Sequence, residues 1–598
     1  MPSPTPTVSV VATGTNSETL TDALTRDLND LAVRLRGVSP DAITKAMNDA
    51  PKPKTVGETE VFWVSDQIED RLFQVATTLA LITGNVYWYV DAGVNIPGEV
   101  LQQVANDFEQ TVRPAIVSAI GDIRKPGIDG DPRLTVLITK LNGLGGYFGA
   151  GDSYSRVVHP DSNEREMMYM DADYLLTDPD EFLAILAHEF QHAVHANIDP
   201  DEDSWINEGF SELAREFTTS PSAFVDFFAA APGTQLTFWP DASTNTTPHY
   251  GAAILFLDYL FDRYGGTDGF ATLANIQADG IEGVEEYLSS FGVTFDDVFG
   301  DWIVANYLDA PDGPYAHLNH DFTIRQVLPL TSNLPIDDST PQHSASYYRL
   351  RLENNITVSF AGDTEVAQVA ARCHSGERCW WSGVGDSMDA RLTRAFDLRG
   401  LGRATLDFWT YHDIEEGWDY AYVTASSDAG RTWRVLQGNH TTAYDPVGNA
   451  LGIGYTGRSS GWVNERIDLS PYAGKEILVR FEYVTDEAVY LDGLLLNDIA
   501  IPELGFFDDA ESPAGWHGEG FRRITTTLPQ RFVVQLIQRF TDGTTDVFTL
   551  SLDENNTTRF RLEDVVGRIE EAILVIAPIT RGTHQPARYR LSIAPFAN

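Results

Sequence analysis

The spacing of apolar residues changes three times along this chain. Leu20, Leu24, Leu28, Leu31, Ala32 and Leu35 recur on a helical period, which predicts one amphipathic helix over residues 19–37. Ser39-Pro40 interrupts it, and Pro51-Lys52-Pro53-Lys54 reads as a linker. Residues 17–55 are thus expected to form an N-terminal helical segment, either pro-segment-like or a packing element. Residues 1–16, rich in Pro, Ser and Thr, are expected to be a disordered spacer. From Glu58 the pattern becomes strand-like, with strands at 61–64, 134–138 and 167–170. Two further runs, 76–82 and 86–90, flank a Thr83-Gly84-Asn85 turn and predict a hairpin. A long amphipathic helix is expected over 97–121, and a glycine-rich loop over 142–148. Helical periods return at 221–231, 251–264, 267–278, 281–290 and 295–307.

Past Pro311 the texture becomes all-β, with short alternating runs separated by Gly, Asn, Asp and Pro. Runs at 380–389, 404–412, 421–427, 432–436, 462–468, 477–484 and 494–501 predict a jelly-roll β-sandwich over 380–503. A C-terminal β-sandwich is expected over 504–598. The β segment 313–379 is too short to stand alone, so it is expected to pair with that last module, the jelly roll being inserted between them.

Length and charge narrow the possibilities. A chain of 598 residues is too long for one core and implies several domains. Its 87 acidic against 41 basic residues give a formal charge of −46, a field that repels nucleic acid and anionic lipid. No run of eighteen apolar residues exists to span a membrane. Neither a basic n-region nor an apolar h-region marks a signal peptide, so a leader is not visible in this chain. The two cysteines, Cys373 and Cys379, could close a small disulfide loop in an oxidising compartment or stay as free buried thiols.

The chemistry concentrates in Leu186-Ala187-His188-Glu189-Phe190-Gln191-His192 and Ser204-Trp205-Ile206-Asn207-Glu208-Gly209-Phe210-Ser211-Glu212. On a helix, the HExxH spacing sets His188 and His192 one turn apart on one face, able to share a metal ion, with Glu189 between them as a base. A catalytic zinc takes three protein ligands and keeps one position open. Glu208 follows His192 after fifteen residues on a second helix. By spacing alone, Glu208 and Glu212 share a face and either could be the third ligand. His195 approaches the same face as the pair. A metzincin, however, would need Gly in its place and a third His at Ile198, so His195 is expected to support the site or lie at the surface.

HExxH followed by this Trp-Ile-Asn-Glu-Gly-Phe-Ser-Glu block resembles the gluzincin metallopeptidases, which include thermolysin-like enzymes and zinc aminopeptidases. The resemblance implies Glu208 as third ligand and Glu212 as the acid orienting the first zinc histidine. It also implies an α+β thermolysin-like domain over 56–312, with an edge strand above the zinc that pairs with an extended substrate. In zinc aminopeptidases a cleft-wall Tyr stabilises the oxyanion; Tyr250 in Pro248-His249-Tyr250-Gly251 looks similar, with His249 the competing candidate. The aminopeptidases carry a Gly-x-Met-Glu-Asn-like strand where this chain has only Gly145-Gly146-Tyr147-Phe148, which favours an endopeptidase. Farther on, residues 381–389 and Glu415-Glu416-Gly417-Trp418-Asp419-Tyr420-Ala421 resemble the region that follows the catalytic domain in immune inhibitor A peptidases.

The chain therefore reads as a multidomain, extracellular or cell-surface zinc endopeptidase acting on protein or peptide substrates. The rival reading is a surface protein that binds glycan or protein through its β modules and keeps the zinc domain for structure. Besides Zn²⁺, Ca²⁺ is considered. Asp386, Asp389, Glu416, Asp419 and Asp498 would suit a site of six to eight oxygens, and would equally serve as turn-forming acids at strand ends.

Overall fold

In the computed structural model, residues 18–47, 53–240, 244–331 and 334–595 are described, so the spacer expected over 1–16 lies outside the described residues. The helix expected over 19–37 is cut short. Thr19–Thr21 pairs in parallel with His517–Glu519, and Leu24–Thr25 pairs with Met388 and Asp389. Only Leu28–Leu35 is helical, capped by the Asp27 carboxylate, which accepts from the N–H groups of Asn29 and Asp30. Leu20 and Leu24, counted on the apolar stripe, are exposed, while Leu31 and Ala32 are fully buried. Strand partners about 500 and about 360 residues away have overridden a local period.

Residues 59–171 build a six-stranded sheet in the order Thr59–Asp66, Arg71–Ile82, Val86–Asp91, Leu134–Thr139, Met167–Asp171, Gly146–Phe148. The first three strands form an antiparallel meander that includes the expected hairpin. Val86–Asp91, Leu134–Thr139 and Met167–Asp171 then run parallel, and Gly146–Phe148 closes the sheet as an antiparallel edge. Leu134–Thr139 and Met167–Asp171 are buried at every position, as parallel strands covered on both faces must be. Phe62, Tyr87, Tyr89, Leu137 and Tyr169 cluster on one face; Trp88, Val136, Ile138, Met168 and Met170 meet the helices on the other. The helix expected over 97–121 runs as Gly98–Asp107 and Arg113–Ile120, joined by a wide turn at Phe108–Val112. Pro114, which lacks an N–H, sits just past that turn and accounts for it.

Helix Pro179–His195 packs on this second face of the sheet, Ser204–Thr218 packs on that helix, and Thr247–Arg263 and then Phe295–Leu308 stack behind, with shorter helices around them. Phe190, Phe210, Phe256, Trp205 and Trp302 are the large side chains of this core.

The β-rich half contains two sandwiches. One packs strands Met388–Asp397, Glu476–Val484 and Tyr420–Ser426 against Thr405–Asp413, Gly493–Ile501 and Cys379–Trp381, around Trp380, Phe408, Phe481 and Trp516. Residues 380–389, expected as one strand, are two, with a turn at Ser387, whose backbone is left-handed (φ +47°). Phe506–Asp508, His517–Glu519 and Arg522–Ile524 pair inside this sandwich and not with the last module. The other sandwich is discontinuous: Ile336–Thr340 and Ile356–Gly362 pair with Ala587–Pro595, and Ser346–Leu350 pairs with Ile569–Pro578. Its outer face packs on the helical region, where the Tyr347 hydroxyl donates to the Ile303 carbonyl. Cys373 and Cys379 are disulfide-bonded.

Candidate metal centre

The helix Pro179–His195 starts on a cap in which Asp178 accepts from the Glu181 N–H, with Pro179 in the first turn. Phe182, Leu186, Phe190 and Val194 are fully buried along it. Burial on nearly every side leaves His188, Glu189 and His192 at the one stretch that meets the next helix.

Ser204–Thr218 begins unusually. Asp203, at its N-cap, makes no capping bond; instead Asp386 of the inserted sandwich accepts from the Ser204 N–H (2.9 Å) and the Ser204 hydroxyl (2.6 Å). The helix lies close to Thr247–Arg263 at Gly209, where a Cβ would come 2.7 Å from Leu257 Cδ1. That close approach fixes Glu208 facing the histidines.

His188 Nε2 and His192 Nε2 are 3.1 Å apart, and Glu208 Oε2 lies 3.2 and 3.5 Å from them. Glu212 is on the other side of the first ring, its Oε1 2.9 Å from His188 Nδ1. His192 Nδ1 is 3.2 Å from Asn207 Oδ1. With both Nδ1 atoms donating outward, each Nε2 keeps its lone pair toward the common point. Two such nitrogens and a carboxylate within 4.8 Å of one another make a set that could hold a divalent ion.

The electrostatics point the same way. Burial opposes a charge on His188, yet hydrogen bonds to Glu208 and Glu212 and the nearby Glu189 outweigh it, so positive charge at the ring is favoured and, without an ion, it holds a proton well above its ordinary range. Glu208, despite its burial, is pulled down to about 2 by His192 and His188. Glu189 moves the opposite way, raised chiefly by burial, and it accepts from the Phe148 backbone N–H of the edge strand. That strand approaches so closely that a Cβ on Gly146 would sit 3.0 Å from Glu189 Cγ.

Tyr250 has its ring 6.0 Å from that of His188, held between Phe224 and Trp239, each 4.8 Å away. Burial first, then Glu208, Glu189 and Glu212, keep its hydroxyl protonated. His249 turns toward the backbone of Phe238 and Gln235 and packs on Trp239; burial lowers it to about 4, so it is neutral. His195 is fully buried, with Nδ1 3.2 Å from the same Asn207 oxygen that His192 uses, and burial lowers it to about 4. Asn207 therefore positions two histidines, a role that its place in the Asn-Glu pair hinted at. Gly146 and Phe148 stood in the sequence only as the stretch set against the aminopeptidase strand; the sheet is what brings them to Glu189.

The five acids considered for calcium do not converge. Asp386 caps Ser204, Asp389 is ion-paired with Arg34 and Arg391, and Asp498 lies 2.7 Å from His374 Nδ1. Asp419 is instead gathered with Glu415 and Asp486, and Glu416 lies outside that group.

The fold around the inserted sandwich has known relatives. Residues 355–525 match the family described as Immune inhibitor A-like, MAM domain. The stretch begins at a strand of the discontinuous sandwich and ends just past Arg522–Ile524, so it encloses the whole inserted one. The chain is 31% identical over 151 residues to the Pre-pro-metalloprotease PrtV of Vibrio cholerae serotype O1, covering 25% of this chain and 16% of that protein. It is 30% identical over 151 residues to Immune inhibitor A of Bacillus thuringiensis subsp. alesti, covering 24% and 21%. Against Bacillopeptidase F of Bacillus subtilis it is 28% identical over 102 residues, covering 17% and 6%. These matches cover the C-terminal, β-rich region. The chain thus aligns with about a fifth or less of each relative's length. Among the described residues no helix is long and apolar enough to cross a membrane.

Proposed function

We propose that this protein is a zinc-dependent endopeptidase that acts outside the cell on protein substrates, its gluzincin-like centre formed by His188, His192 and Glu208. The observation that carries the reading is the convergence of two Nε2 atoms and one carboxylate oxygen while both Nδ1 atoms are engaged elsewhere. A zinc ion held there would supply a Lewis acid to the scissile carbonyl and to the attacking water. Glu189, raised by burial, takes the proton of that water and passes it to the leaving amine. The Tyr250 hydroxyl, kept protonated beside His188, donates to the oxygen on which charge develops. Glu212 and Asn207 hold the two imidazoles in register.

The edge strand Gly146–Phe148 favours an endopeptidase. It ends its sheet directly over Glu189, and an extended peptide can add to that edge strand-wise, which accepts the middle of a chain. The disulfide Cys373–Cys379 fits an oxidising compartment. Glu189→Gln is the test. It should retain one equivalent of zinc and lose casein hydrolysis by about 10²–10⁴-fold. Unchanged turnover in that variant refutes the mechanism.

A further inference from the structure

The loop that joins the two helices of the metal centre carries a second cluster of acids. Asp199 follows the first helix directly, its N–H donating to the His195 carbonyl (2.9 Å). Carboxylate oxygens of Asp199, Asp201 and Asp279 lie within 4.8 Å of one another. Asp199 is only 3% exposed, and its Oδ2 has no hydrogen-bond partner; Asp279 Oδ1 is likewise buried and unpartnered. The charges that act on these two groups are all acidic: Asp201 on Asp199, and Asp201, Asp203, Asp199 and Glu282 on Asp279. Burial and this crowding push Asp199 up to about 7 and Asp279 up to about 8. Buried carboxylates brought together without a counter-charge are costly, and an unpartnered oxygen aimed into the cluster is the mark of a missing cation.

We infer that Asp199, Asp201 and Asp279 bind a divalent cation of the calcium class in the crossover between the two helices of the catalytic centre. The donors are all oxygens, as a hard cation requires. Calcium takes six to eight of them in flexible geometry, whereas magnesium retains most of its waters and uses one or two carboxylates. The surroundings show what the ion would fasten. Glu202 Oε1 accepts from the N–H groups of Asp203 (2.8 Å) and Gly280 (2.7 Å), so the loop before the Glu208 helix is already tied to the segment bearing Asp279. Thr25 of the N-terminal segment donates to Asp201 Oδ2 (2.6 Å). One ion would thereby clamp the end of the His188/His192 helix, the start of the Glu208 helix and the helix that begins at Gly280. This site is distinct from the sandwich acids, and its occupancy does not depend on peptidase activity.

Zinc-loaded full-length protein in calcium-free buffer, titrated with calcium chloride by calorimetry and equilibrium dialysis, tests the assignment. The double variant Asp199→Asn/Asp279→Asn should bind one equivalent fewer than wild type and lose most of the calcium-induced rise in Tm. In calcium-free buffer its Tm should equal or exceed that of wild type, because mutual repulsion has been removed. The single variant Asp201→Asn, at the more open edge of the cluster, should fold and bind that equivalent at least tenfold more weakly. Equal stoichiometry and an equal calcium response in wild type and both variants would overturn the inference. So would a wild-type protein that binds no calcium.

Discussion

Replacing Glu212 tests the division of labour between the two carboxylates of the second metal-site helix. Its Oε1 lies 2.9 Å from His188 Nδ1 and its side chain is almost fully buried, whereas Glu208 faces both Nε2 atoms. An acid in that position sets the ring's tautomer and raises its basicity, and losing it typically weakens metal binding 10–100-fold, about 1.4–2.8 kcal/mol. A hydrogen bond to a charged group, about 1.5–3 kcal/mol, leads to the same range. Glu212→Gln keeps an acceptor for Nδ1–H and loses only the charge, so zinc affinity should fall about tenfold; Glu212→Ala should fall about a hundredfold. Glu208→Gln removes a donor to the ion itself and should cost more than either. Competition for zinc against a chromogenic chelator gives all three affinities on one scale. If Glu208→Gln bound zinc like wild type while Glu212→Gln lost it, the assignments would be reversed and the geometric argument with them.

Tyr250→Phe should lower kcat by about 10²–10³ without changing zinc affinity, since only a hydroxyl facing the developing charge is removed; an undiminished kcat excludes that role. Gly146→Val would place Cβ atoms 3.0 Å from Glu189 Cγ, Met170 Sδ and the Tyr169 carbonyl, so it should cost about 1–3 kcal/mol of stability and most of the turnover with zinc retained. His343 is buried against Phe295 and Phe299, and burial lowers it to about 3. Below the unfolded value near 6.5 the unfolded chain takes up this proton and the folded protein does not, so stability falls with pH, by about 2 kcal/mol at pH 5 from this group alone. His343→Asn, which tolerates the left-handed backbone there (φ +46°), should flatten that loss in urea titrations at pH 5 and 7; an unchanged slope would show that the ring does not control it.

What could be read from the sequence follows how local each signal was. His188, Glu189, His192, Asn207 and Glu208 occupy two short helices, and helical spacing alone sets which of them share a face. The Thr83-Gly84-Asn85 hairpin and most sandwich strands were legible for the same reason, since turn residues and alternation are properties of a few neighbours. The N-terminal period failed because Thr19–Thr21 and Leu24–Thr25 take strand partners hundreds of residues away, at 517–519 and 388–389. The two readings of the five sandwich acids, calcium ligands or turn-forming acids, could not be separated in the sequence because carboxylates close in sequence can face different elements. Asp386 reaches the helix of the metal centre, Asp389 an arginine pair, and the acid that joins Asp419 is Asp486. Residues 199–203 are Asp-Pro-Asp-Glu-Asp, and nothing local ties them to Asp279; their meeting is a product of packing.

The parallel pairing of Thr19–Thr21 with His517–Glu519 also constrains how the molecule is made. A ribosome adding about 5–20 residues per second needs roughly 25–100 s to pass from the first of these strands to the second. For most of that interval Arg34 waits for Asp389 and Glu482, and Leu31 for Tyr420 and Tyr422. The six strands of the first sheet, by contrast, find all their pairing partners between residues 59 and 171. The sheet that carries the edge strand over Glu189 can therefore pair early, whereas the segment at residues 19–21 gains its strand partner only when residues 517–519 arrive.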